Sequence, residues 1–101
     1  MRVYNMESSS GKEVPNQFII EDGNIEYFQS YRTIISKITN EFIDGNEDNV
    51  NQTIQLDTKA WNCSNITAKY RNKFLGMTTK EVKQAIKDGA IELVDLNGGV
   101  I

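Results

Sequence analysis

Histidine is absent from the chain, and cysteine, proline and tryptophan occur once each. Without imidazole no side chain has an ordinary pKa near neutrality, and histidine-based nucleophile triads are excluded. A lone thiol, Cys63, cannot close an internal disulfide and is too few for a thiolate zinc site. No imidazole exists to activate it either, so Cys63 reads as a small buried residue rather than a nucleophile. No pair of carboxylates at helical spacing stands out for hydrolysis. No apolar run approaches the ~18 residues of a membrane span, and no signal peptide is evident. These absences point to a non-enzymatic, cytoplasmic protein with no metal, no cofactor and no membrane partner.

What is present is enough for one fold. With 101 residues, 39% of them apolar and 25% charged, the chain makes a single domain over 1–101 with one modest core. The net charge of −3 is unevenly spread. Glu41, Asp44, Glu47, Asp48 and Asp57 fall in a stretch without a cation, and Lys59, Lys69, Arg71, Lys73 and Lys80 follow in one without an acid. Such segregation is either a steering surface or two segments that neutralise each other.

The β signals come first. Residues 1–6 alternate as a first strand, and a polar turn at 7–12 leads to Pro15, placed just ahead of the next strand. The turn lacks the first glycine of a phosphate loop, and Glu13 stands where Ser or Thr should follow Lys12. Asp22-Gly23 reads as a two-residue hairpin turn that sets Ile20 against Ile25 and Phe18 against Tyr27, four large apolar groups on one face. Residues 32–38 form another β-branched run, and 40–51 read as loop. Asp44–Asp48 opens like a calcium loop, but Asn49 and Gln55 stand where glycine and a bidentate glutamate are needed. Residues 53–57 are a strand with Ile54 and Leu56 inward.

Two helices follow. Ser64 caps the first and Gly76 ends it, with Ile66, Tyr70 and Phe74 on the inward arc. Thr78 and Glu81 form the capping box of the second, whose inward stripe is Val82, Ala85 and Ile86 and which Gly89 closes. A strand at 91–96 can join the sheet. The expected fold is α+β, a small antiparallel meander able to curl toward a half-barrel and packed against two C-terminal helices.

Residues 57–76 concentrate the only tryptophan, the only cysteine and the densest positive charge. Trp61, Lys69, Tyr70, Arg71 and Lys73 are the candidate contacts for a protein partner, since Trp, Tyr and Arg dominate binding hot spots. Trp61 or Tyr31 stacking on bases, with Lys59, Lys69, Arg71 and Lys73 on phosphates, is the alternative for nucleic acid or a nucleotide. The structural reading of Arg71 is an ion pair to Asp57 or Glu26. Self-association stays open.

The succession Asn16-Gln17-Phe18-Ile19-Ile20, Phe28-Gln29-Ser30-Tyr31, Ile54-x-Leu56-Asp57-x-x-x-Trp61 and Ser64-x-x-Thr67-x-x-Tyr70-Arg71-x-x-Phe74-Leu75-Gly76 resembles a family of small uncharacterised proteins. Its members are encoded by bacteriophages and bacterial mobile elements. The chain departs from them at Cys63 and Ile66. The resemblance implies a phage-like origin and carries no activity with it. Together with the chain's small size and absent catalytic groups, it suggests an accessory or anti-defence protein that binds a host protein.

Overall fold

A computed structural model describes residues 1–43 and 50–98. Six strands form one open sheet in sequence order, β1 (Arg2–Glu7), β2 (Glu13–Asp22), β3 (Ile25–Ser30), β4 (Thr33–Phe42), β5 (Val50–Asp57) and β6 (Ile91–Val94). Neighbours are antiparallel through β5, and β6 lies parallel to β5. The direction follows from the connection. Helices α1 (Asn65–Leu75) and α2 (Thr79–Lys87) cross over between β5 and β6, and a crossover returns a strand parallel. The fold is α+β, and the sheet does not close. None of the described helices is long and apolar enough to cross a membrane.

Both helices cover the same sheet face. Under α1 lie Met6, Phe28 and Ile35 with Ala60 and Tyr70, and Phe74 stacks at 6.0 Å from Phe28. Under α2 lie Leu56 and Ile91 against Val82, ringed by Ile54, Trp61 and Leu75. Ile54 and Leu56 thus point inward, as their alternation requires. One extra residue in β4 opposite Phe28 makes a bulge, which buries both Ile35 and Ser36.

The β2–β3 register differs from expectation. Asp22 pairs with Ile25, Ile20 with Tyr27 and Phe18 with Gln29, so the turn is Gly23-Asn24. Gly23 has φ 62° and Asn24 is not in the left-handed region. A turn with positive φ only at its first central residue favours glycine there, which moves the turn one position along. Partners shift by two, so side chains keep their faces. Phe18, Ile20, Ile25 and Tyr27 do share a face, but it is opposite the helices, because Ile19 and Phe28 take the inward one. Pro15 lies within β2 rather than ahead of it. It sits where β2 bulges away from β1, and the Asn5 side chain bridges the gap to the Val14 carbonyl at 3.0 Å.

The loop expected at 40–51 is shorter. β4 runs to Phe42 and β5 starts at Val50, in unbroken register from Ser36↔Leu56 to Phe42↔Val50. Polar residues do not stop a strand whose backbone is paired on one side. The residues of the rejected calcium reading, 44–49, lie outside the described part.

Ser64 caps α1 by accepting from the Thr67 N–H, and Gly76 ends it at φ 68°. The Thr78–Glu81 capping box opens α2. Asp88 is the C-cap of α2, and Gly89 follows at φ 79°. The inward arc of α1, however, is rotated by one residue. Thr67, Tyr70 and Arg71 are buried, whereas Ile66 is 43% exposed. Thr67 owes its place to its hydroxyl, which shares a hydrogen bond with Ser30 (3.2 Å), an interaction that apolar periodicity does not register. Replacing Ile66 with serine is therefore expected to shift stability by no more than about 0.5 kcal/mol. Tyr70→Ala should cost about 3 kcal/mol or more. Urea midpoints of the two variants check the rotation, and equal losses would reverse it.

Candidate functional site

The loop from Thr58 to Cys63 and the start of α1 are held by Asp57. Its carboxylate is buried and accepts from the Lys59 and Ala60 N–H groups at 3.1 and 3.0 Å. The other oxygen accepts from the Leu96 N–H at 2.9 Å and the Asn97 side chain at 3.0 Å. Burial alone would raise the Asp57 pKa. Hydrogen bonds from Leu96, Asn97, Ala60 and Lys59 outweigh it and leave the carboxyl below its ordinary value. Asn97 also donates to and accepts from the Ile34 backbone, tying the C-terminal segment to β4.

Arg71 is the second organiser of this region. Its guanidinium has no exposed surface, and all five N–H donors are used. Nε and Nη2 both reach Asn72 Oδ1, at 3.2 and 2.8 Å, and Nη2 also reaches Thr79 Oγ1. Nη1 donates to the Trp61 carbonyl at 2.6 Å and to Asn62 Oδ1 at 3.1 Å. The expected ion pair to Asp57 or Glu26 is not formed. Among the described residues its partners are neutral oxygens, joined by the Trp61 ring at 5.4 Å. Burial lowers the Arg71 pKa from its ordinary value.

The other sequence candidates separate. Tyr70 is in the core, and Trp61 is half-buried against α2. Lys69 is exposed with its ammonium 5.5 Å from the Tyr70 ring. Lys73 is exposed at the far end of α1 and donates to the Glu7 carbonyl. It borders a cleft of about 370 Å³ that also meets Tyr4, Met6, Ile19, Glu26 and Phe74. Besides the Arg71–Trp61 and Lys69–Tyr70 contacts, Tyr31 and Lys59 come together, on a second cleft of about 390 Å³ between the β3–β4 turn and the start of α1. Ile35 and Ala60 give it apolar surface, and Ser30, Ser64 and Thr67 bring hydroxyls. Cys63 lines it as well and is exposed, not buried, because it sits in the turn before the helix cap. Its thiol donates weakly to Thr67 Oγ1 at 3.7 Å.

A feature that periodicity passed over lies at the other end of the sheet. The last β3–β4 pair is Ile25↔Thr39, and β6 begins pairing at Ile54. Among the described residues, beyond Asn40, which bonds the Asn24 backbone, and before Ile54, β4 and β5 pair only with each other. This two-stranded arm carries Phe42, Ile43 and Val50, which are 50%, 44% and 38% exposed. Phe42 and Val50 are cross-strand partners. The signal was Phe42-Ile43 itself, two large apolar residues in a polar stretch.

No curated protein and no solved structure matches the chain. Residues 1–89 match the profile of a family of unknown function, DUF8033, and the chain belongs to that family.

Proposed function

We propose that the protein is a non-catalytic accessory protein of phage or mobile-element origin that binds and modulates a host protein, as an anti-defence inhibitor would. The observation that carries this reading is the two-stranded end of β4 and β5, where Phe42, Ile43 and Val50 are partly exposed. These large apolar groups lie outside both core clusters, and a partner's pocket is where burying their exposed part would add stability. Glu41 lies on the same arm, and Asp44, Glu47 and Asp48 follow it in sequence. The partner that fits is therefore a basic surface around an apolar pocket.

Binding a nucleic-acid strand along 58–80 is less well supported, since Tyr70 and Arg71 are interior and Lys69 and Lys73 stand apart from Tyr31 and Lys59. The test is affinity capture from host lysate with the native chain and with Phe42→Ser/Val50→Ser. The native chain is expected to hold a stoichiometric partner, and the double variant to lose it at least tenfold. Recovery of no partner, or of the same partner by both chains, overturns the reading. Circular dichroism of the variant should be unchanged, since neither side chain supports the core.

A further inference from the structure

Tyr31 stands where its backbone argues against it. Ser30 pairs with Thr33, so Tyr31-Arg32 is the two-residue turn between β3 and β4. Tyr31 has φ 56° and Arg32 is not in the left-handed region, the same pattern as Gly23-Asn24 in the preceding hairpin. The first central position of such a turn calls for glycine, and the earlier hairpin has it. A bulky side chain there is strained. The conformation is held from both sides: the Tyr31 N–H donates to the Asn16 carbonyl at 2.7 Å, and its carbonyl accepts from Gln29 Nε2 at 2.7 Å. The residue is 55% exposed, so the side chain brings little burial in return. Strain is thus spent on holding an aromatic ring in solvent.

That ring borders the cleft of about 390 Å³, large enough for a small molecule. Ile35 and Ala60 line it with apolar groups, and Thr33 and Ser64 bring hydroxyls that are not buried, those of Ser30 and Thr67 being buried and bonded to each other. A planar aromatic body carrying hydroxyls matches this arrangement: the ring stacks on Tyr31 and the hydroxyls meet Thr33 and Ser64. We propose that the cleft between the Tyr31 turn and the start of α1 binds a nucleoside, stacked on Tyr31. The site is separate from the β4–β5 arm and does not depend on it.

Cys63 offers a direct readout, because the chain's only thiol is exposed on this cleft. The experiment measures the rate at which an aromatic disulfide reagent labels Cys63 with adenosine, guanosine, cytidine or uridine at millimolar concentration, and with ribose as control. At least one nucleoside is expected to slow labelling severalfold while ribose does not. Tyr31→Gly should remove the protection yet unfold at the native temperature or above, since glycine relieves the strained φ. The Phe42→Ser/Val50→Ser chain should be protected like the native one. Labelling slowed by no nucleoside, slowed equally by ribose, or still slowed in Tyr31→Gly overturns the proposal.

Discussion

Replacing Arg71 with methionine is expected to lower the free energy of unfolding by about 3 kcal/mol, the scale of several lost charge-assisted hydrogen bonds less the desolvation they offset. The side chain is fully buried and joins three segments through five hydrogen bonds: the Trp61-Asn62 turn, Asn72 on α1 and Thr79 at the start of α2. Methionine fills much of the volume but returns none of these bonds, and the Trp61 carbonyl then loses its partner. Lysine recovers part of the loss, with three donors on a point where a planar fork is needed. The order native > Arg71→Lys > Arg71→Met in urea midpoint is the expected result. A midpoint for Arg71→Met equal to the native one would leave the guanidinium without a structural role.

The features legible in the sequence were those whose cause is local. The Thr78–Glu81 box and the caps Ser64 and Gly76 act over three or four residues, and all appear where their spacing put them. Strand β5 was readable from Ile54 and Leu56 because alternation is a property of one segment. What was hidden depends on residues far apart. The rotation of α1 is set by Thr67 meeting Ser30, 37 residues away, and by the oxygens around Arg71. Neither involves apolar periodicity, and so Ile66, the more hydrophobic choice, was assigned the inward place that Thr67 holds. The same limit applies to Tyr31. Nothing in Ser30-Tyr31-Arg32 announces a positive φ, because the demand comes from pairing Ser30 with Thr33 across the turn. Candidate contacts chosen for residue type alone therefore mixed interior side chains, Tyr70 and Arg71, with surface ones such as Tyr31, Lys59 and Lys69.

Asp57→Asn should show how far the 58–63 loop and the C-terminal segment depend on one carboxylate. Four donors converge on it, from Lys59, Ala60, Leu96 and Asn97. An amide of the same shape keeps one acceptor oxygen and turns an NH2 toward donors it cannot satisfy. The expected cost at neutral pH is about 3 kcal/mol, in line with bonds to a charged acceptor and one buried clash. The sign of the pH dependence follows from the direction of the shift. The folded-state pKa of Asp57 lies below its ordinary value. Its contribution is therefore complete above the unfolded-state pKa of about 4 and is lost as acid takes pH down through the folded-state value. Native and Asp57→Asn midpoints should differ most at neutral pH and draw together below about pH 4. A gap that stays constant through that range would mean that the four hydrogen bonds do not depend on the charge. Because Ser64, Cys63 and Lys59 are reached through this loop, the variant should also speed the labelling of Cys63, which connects the buried anchor to the exposed cleft.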